Sequence, residues 1–245
     1  MKRYALLALL CACVCALSLL RHPQAARANG PVAVNAVSYA ALEQDLLGEI
    51  NLARARPAEY ASYLEGLRPM FAGKEYRRPG RPALVTEEGA AALEEAIKFM
   101  RAARPAGPLS VAAGMCSGAR ELVKEQGASG ATGHKGSDGS YCEQRAQRFG
   151  AWKEPIGENL SYGDDTARER VLTLLIDDGV ANRGHRQRIM DPAYRVAGVA
   201  CGEHKLGSMC VITLAGGFTD SPSAAQGRPS RNSGAPAPPA GAKRF

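Results

Sequence analysis

The chain has 245 residues, 45% of them hydrophobic, and a formal net charge of +7. Eight of its 31 basic residues lie in the terminal segments 1–28 and 221–245, so the middle of the chain carries 23 basic residues against all 24 acidic ones. A nearly neutral domain lacks the basic surface that recognises phosphates, and we therefore predict no nucleic-acid partner. Roughly 190 residues are enough for one domain with a substantial core.

Both ends of the chain differ in composition from the middle. Residues 1–28 have the three parts of a secretory signal. These are a basic start, the apolar run "ALLALLCACVCALSLL" and the small-residue cleavage site "ARA". We expect a mature protein from about Asn29, secreted to the periplasm or the extracellular medium, monomeric and without a transmembrane segment. An uncleaved anchor and lipidation at Cys13 are the alternatives. The domain is predicted at 29–220, followed by a disordered or tethering Pro/Ala/Gly-rich tail at 221–245.

The first half of the domain predicts helices. Apolar residues at helical spacing follow Ser38, and Pro57 suits the first turn of a continuation, which indicates two helical pieces with a bend. Thr86 is the predicted N-cap of the next helix, and another helix is predicted over 114–126. The glycine-rich stretch "GASGATGHKGSDG" has no periodicity and is interpreted as a loop that presents His134.

The second half mixes strands with helices. Ser140 and Glu143 form a predicted capping box at a helix start, and Thr166 with Glu169 forms a second one, opening a helix that we expect to end at Gly179. The stretch "IGENLSYG" between them is predicted to be a strand. "RVAGVAC" and "MCVITLAGGF" have the β-branched content and short length of two further strands.

Four cysteines remain after the signal, an even number in an exported protein. Cys201 and Cys210 flank a short turn between two predicted strands, so a disulfide between them needs only a hairpin. A disulfide between Cys116 and Cys142 then follows by elimination. Buried free thiols are the alternative.

Two histidines and two acids are the candidate site. His134 lies in the glycine-rich loop, and Glu158 lies on the predicted strand "IGENLSYG". His185 follows the helix that is predicted to open at Thr166. Helical spacing turns Asp178 inward and Asp177 outward, although either could fill the fourth position. If these side chains share a cleft, imidazoles and carboxylates offset each other's burial and resemble the ligands of a divalent cation. The alternative is surface histidines and a helix-end cap.

Four stretches, "GHKGSDGSYCEQRAQRFG", "IGENLSYG", "LLIDDGVANRGHR" and "VAGVACGEHKLGSMCVITLAGGF", resemble in order and spacing those of a known family. The sequence is similar over residues 40–218 to the CAP superfamily of cysteine-rich secretory proteins, antigen 5 and plant pathogenesis-related proteins, especially the shorter SCP-like members of bacteria and protists. The resemblance implies an α+β fold, a three-layer α-β-α sandwich with a small antiparallel sheet flanked by helices.

The resemblance also implies a central cleft with a His/acid tetrad, which maps onto His134, Glu158, Asp178 and His185. The second acid of the family is usually a glutamate, so Asp178 is one methylene shorter. A divalent cation such as Zn²⁺ would be held by His134, His185 and Glu158. Asn159 is expected to brace the local turn with its amide.

The sequence is compatible with three classes of function. The resemblance favours an exported binding module that takes a divalent cation in the cleft and, as in several branches of the superfamily, a small lipid or sterol. A metal-assisted hydrolase, either a protease or an esterase, is the alternative, because two histidines with an acid can activate water. An inert surface interaction module is the third. No catalytic residue is assigned, since Ser161, next to the predicted site, lacks a Gly-x-Ser-x-Gly elbow.

Overall fold

The computed structural model describes residues 38–222, which begin with two helices set end to end. Ser38 caps α1 (Tyr39–Ala55) by accepting a hydrogen bond from the backbone of Ala41 at 3.2 Å. Pro57 opens α2 (Pro57–Glu65), where its missing N–H costs nothing. The predicted bent helical pair is confirmed.

A small three-stranded sheet follows, which the sequence did not predict. It consists of β1 (Phe71–Ala72), β2 (Glu75–Tyr76) and β3 (Leu84–Val85), paired in that order and antiparallel. Thr86 bonds back to the carbonyl of Lys74, so it closes this sheet and does not cap a helix. The next helix, α3 (Ala90–Ala102), begins after Gly89, whose φ of 68° and close approach to Gly73 suit glycine alone.

The main sheet has four strands in the order β4-β6-β7-β5. The strand β4 (Ser110–Val111) precedes α4 (Ala113–Ser129), and α5 (Cys142–Gln147) precedes β5 (Gly150–Tyr162). The helices α6 (Ala167–Ile176) and α7 (Gly184–Met190) lead to the hairpin of β6 (Val196–His204) and β7 (Gly207–Asp220). Because β4 is parallel to β6, the sheet is mixed, not wholly antiparallel as expected.

Helices cover both faces of this sheet. One face packs Ala200, Met209 and Val211 against α4. The other packs alternate strand residues, such as Val199 and Ile212, into the larger core built with α1, α2, α3, α6 and α7. The predicted α+β three-layer sandwich is therefore confirmed.

Two local predictions need correction. At the start of α5 the side chain of Gln144 accepts a hydrogen bond of 2.9 Å from the backbone N–H of Tyr141, one residue later than the predicted pair of Ser140 and Glu143. The capping box of α6 at Thr166 and Glu169 is confirmed, but the helix ends at Ile176, three residues before the predicted Gly179.

One of the two predicted disulfides is present. Cys201 and Cys210 face each other across the hairpin and are bonded, with their Cα atoms 4.1 Å apart. The predicted bond between Cys116 and Cys142 is wrong, because both thiols are free. Cys116 points from α4 towards the backbone of Val199, whereas Cys142 is buried near Glu158, so the thiols have different surroundings.

Alkylation of the chain from residue 29 onward should count these thiols. Unfolding without a reductant should expose two alkylatable cysteines, and reduction should raise the number to four. In the folded protein Cys142 should react very slowly with iodoacetamide at pH 8, because burial and the nearby Glu158 raise its pKa to about 12. Mass spectrometry gives the counts. If no cysteine of the unfolded, unreduced protein is alkylated, the second predicted disulfide is present after all.

The predicted signal at 1–28 lies outside the described residues, and so does the tail at 221–245 except for its first two residues. Within residues 38–222, no helix has the length and apolar character needed to cross a bilayer.

Candidate functional site

The first half of the candidate site is the buried carboxylate of Glu158. Its side chain is 2% exposed, and its Oε2 atom lies 3.1 Å from the Nδ1 atom of His134. Its Oε1 atom accepts a hydrogen bond of 2.7 Å from Arg145. Thr213, directly opposite on β7, places its hydroxyl 3.5 Å from the same oxygen. Every oxygen of this buried acid is therefore in contact with a polar partner.

Arg145 is a site residue that was not predicted from the sequence. It is buried, and besides pairing with Glu158 it donates to the carbonyls of His134 and Ser140 at 3.1 and 2.9 Å. One guanidinium thus neutralises the buried acid and bonds the backbone on either side of residues 135–139, including the carbonyl of His134 itself. Its position three residues after Cys142, on the inner face of α5, was the available signal.

The second half of the site is the pair of His185 and Asp177. Their Nδ1 and Oδ1 atoms are 2.6 Å apart, and the other oxygen of Asp177 accepts the backbone N–H groups of His185 and Arg186 at 2.9 and 3.1 Å. Since an ionised carboxylate only accepts, the Nδ1 atom of His185 carries the proton in this bond. Asp177 thereby orients both the imidazole and the first turn of α7.

Asp178 does not fill the fourth position, contrary to the prediction. Its carboxylate accepts the backbone N–H groups of residues 87–89, at 2.7 to 2.9 Å, and so anchors the start of α3. The prediction extended helical spacing beyond Ile176, where α6 ends. Asp177 has a φ of 57°, and this left-handed conformation turns Asp177 inward instead.

Asn159 connects the two halves of the site. Successive strand residues point to opposite faces, so Glu158 faces α5 while Asn159 faces α7. The amide of Asn159 donates to the carbonyl of His185 at 3.2 Å and accepts from Arg188 at 3.3 Å, so it braces α7 and not the turn beside it. The described contacts form two His/acid pairs, His134–Glu158 and His185–Asp177, and no described hydrogen bond joins one pair directly to the other.

Two of the three predicted metal ligands, His134 and Glu158, contact each other directly. Both oxygens of Glu158 are already engaged, and the Arg145 guanidinium beside them opposes a second positive charge. Within residues 38–222 there is no group of three or more His, Cys, Asp or Glu side chains placed to hold a metal ion. Cation binding by His134, His185 and Glu158 stays a prediction.

Ser161, the serine considered for a hydrolase, is buried in this structure. Its hydroxyl accepts a hydrogen bond of 2.9 Å from Arg170, which also bonds Ser208. Among the described contacts, none joins Ser161 to either histidine, so the site does not assemble a serine nucleophile with its base.

A groove of about 750 Å³ runs beside the end of β5. The small sheet β1-β2-β3, the end of α6 and the β6-β7 turn form its walls, and His185 and Asp177 line it. Large apolar side chains also line it, and they include Leu84, Val85 and Leu206, which are all exposed. Tyr162 lines the groove as well, and its hydroxyl accepts from the backbone of Gly133, next to His134.

Comparison with known proteins identifies a family and distantly similar solved structures. Residues 77–214 match the family model described as "CAP: Cysteine-rich secretory protein family". A 1.5 Å crystal structure of an extracellular protein containing a SCP domain from Bacillus anthracis str. Ames aligns at 15% identity with a TM-score of 0.37. The alignment covers 51% of this chain and 39% of that chain, so this chain spans less than half of that structure. No curated protein matches the sequence significantly.

Proposed function

The chain belongs to the cysteine-rich secretory protein family, and we propose that it is an exported binding module that takes a small lipid or sterol in the groove beside β5. The volume of this groove, about 750 Å³, is in the range of small-molecule sites. The apolar body of the ligand lies against the small sheet and the end of α6. The polar group of the ligand lies at the His185–Asp177 pair.

One observation carries this proposal. Five large hydrophobic side chains are exposed within residues 38–222, and three of them, Leu84, Val85 and Leu206, line this single groove. Exposing apolar side chains to water costs free energy, so a cluster of them around a concavity favours an apolar ligand. Separate exposed residues would carry no such meaning.

The groove also has fixed polar features for orientation. Asp177 holds His185 by its Nδ1 atom and its backbone N–H, so the imidazole lines the groove in one orientation. A rigid polar group beside apolar walls suits a ligand with one hydroxyl or another small polar head. This arrangement supports amphiphiles over ligands that are polar throughout.

Binding of two fluorescent probes tests the proposal. The chain from residue 29 onward should bind dehydroergosterol or a fluorescent C18 fatty alcohol. Val85→Ser should weaken binding by about threefold to tenfold, because a methyl pair leaves the contact surface. Val111→Ser is the matched control, since Val111 is also exposed on a two-residue strand but lies outside the groove lining.

The control should change the dissociation constant by less than about twofold. Failure of the wild-type protein to bind either probe would refute the proposal. An equal loss for Val85→Ser and Val111→Ser would also refute it, because the effect would then not come from the groove.

A further inference from the structure

The proposed groove carries an excess of negative charge. Two arginines and five carboxylates line it, which leaves three formal negative charges when His185 is neutral. The carboxylates are Glu87, Asp164, Asp165, Asp177 and Asp178. A neutral lipid site needs no such excess, so the charge indicates which head group the groove accepts.

Neither arginine is free to receive an anionic head group. Arg78 donates to the carboxylate of Asp165 at 2.7 Å, and Arg81 donates to the same carboxylate. Arg81 also lies 3.7 Å from Glu169, so two cations face two anions. The Nε atom of Arg78 has no described partner, but it is buried and out of reach of a ligand. These four residues form a closed neutral network.

Two of the groove carboxylates lack a directly bonded cation among the described residues, although Arg81 donates to the backbone carbonyl of Asp164 at 2.8 Å. Asp164 and Glu87 are exposed, and within residues 38–222 neither carboxylate has a hydrogen bond or an ion pair. Asp164 lies against Gly207 in the β6-β7 turn, and Glu87 lies against Gly179 beyond α6. Arg170 is also close to Asp164, but it is buried and hydrogen bonded to Ser161 and Ser208.

From this charge distribution we infer that the groove selects cationic amphiphiles, that is, an apolar body with an amine or quaternary ammonium head. This inference rests on the proposed function and names its ligand class. The apolar body occupies the same walls and the head group lies beside His185 and Asp177, while the exposed charges of Asp164 and Glu87 on the same groove attract an ammonium group. A carboxylate or phosphate head meets the same two groups with repulsion, and the closed arginine network offers it no partner.

Calorimetry with three matched ligands tests the inference, using the chain from residue 29 onward and concentrations below micelle formation. The ligands are dodecyltrimethylammonium, dodecyl maltoside and tridecanoate, which share a twelve-carbon alkyl chain. At 50 mM salt and pH 7.5 the cation should bind about fivefold to tenfold tighter than the anion. At 500 mM salt the difference should shrink to about twofold or less, because salt screens exposed charges.

Variants locate the selectivity. Asp164→Asn combined with Glu87→Gln should abolish most of the preference for the cation while the neutral ligand binds as before. Asp45→Asn is the control, since Asp45 is an exposed carboxylate of α1 outside the groove lining. Glu87→Gln alone is the second variant in case the double variant does not fold, and it should reduce the preference by at least about twofold.

The outcomes separate the two proposals. Equal or tighter binding of tridecanoate would overturn the cationic preference and leave the groove as the binding site. The inference would also be overturned if the folded variants kept the full ratio of cation to anion affinity that the wild-type protein shows. If none of the three ligands binds, the proposed function itself fails.

Discussion

Arg145→Met should lower the free energy of unfolding by about 3 to 5 kcal/mol, because it leaves the Glu158 carboxylate buried without its cation. Both side chains of this ion pair are almost fully buried, so water cannot replace the lost partner. His134 is a weak substitute, since its side chain is 41% exposed and it contacts only one oxygen. The carbonyls of His134 and Ser140 also lose a donor.

Urea denaturation, with the midpoint and slope fitted together, measures this loss. Arg148→Ala is the control on the same helix end, because Arg148 pairs with Glu121 and Asp138 at an exposed site, where an ion pair contributes about 0 to 1 kcal/mol. Adding Glu158→Gln to Arg145→Met should restore a large part of the stability by removing the unpaired charge. A loss below about 1 kcal/mol for Arg145→Met would show that the pair is not what makes the buried acid tolerable.

Local patterns in the sequence were sufficient for most of the fold. The helical spacing after Ser38, the first-turn Pro57 and the capping box of Thr166 and Glu169 depend on residues close together in the chain, and the structure confirms each of them. The Cys201–Cys210 disulfide also depends only on a hairpin. Features whose causes are adjacent in the chain can be predicted from the chain.

Features that depend on distant contacts could not be predicted in this way. Asp177 and Asp178 are neighbours, yet one accepts from α7 and the other from the segment before α3, about 90 residues away along the chain. Helical spacing carries no information beyond the last helical residue. The choice between them was therefore decided by tertiary contacts and the left-handed turn at Asp177.

The groove escaped prediction for a related reason. One of its walls, the sheet β1-β2-β3, has strands of two residues each, too short for an alternating pattern. This sheet is held by contacts outside itself, including the ion pairs of Arg78 and Arg81 with Asp165. The sequence could identify two histidines and an acid, but not the apolar surface beside one of them.

A second buried arginine, Arg54, connects the first helix to the segment that carries His185. It is almost fully buried in the core, and burial lowers its pKa. Its guanidinium donates to four carbonyls, at 2.6 to 3.0 Å, on both sides of the α7-β6 connection and before β4. These acceptors belong to Gly107, Ile189, Asp191 and Tyr194. One side chain therefore satisfies the end of α7 and three loop carbonyls.

Arg54→Met should lower the free energy of unfolding by about 4 kcal/mol, because each carbonyl left without a donor in the interior costs about 1 to 3 kcal/mol and some are rehydrated. Arg56→Met is the control, since the Arg56 side chain is 67% exposed and its one ion pair within residues 38–222 is with Glu59. Hydrogen exchange should show protection lost first at the amides of α7, which Arg54 holds at its C-terminal end. If α7 keeps its protection while stability falls, Arg54 acts on the core as a whole and does not position the helix that carries His185.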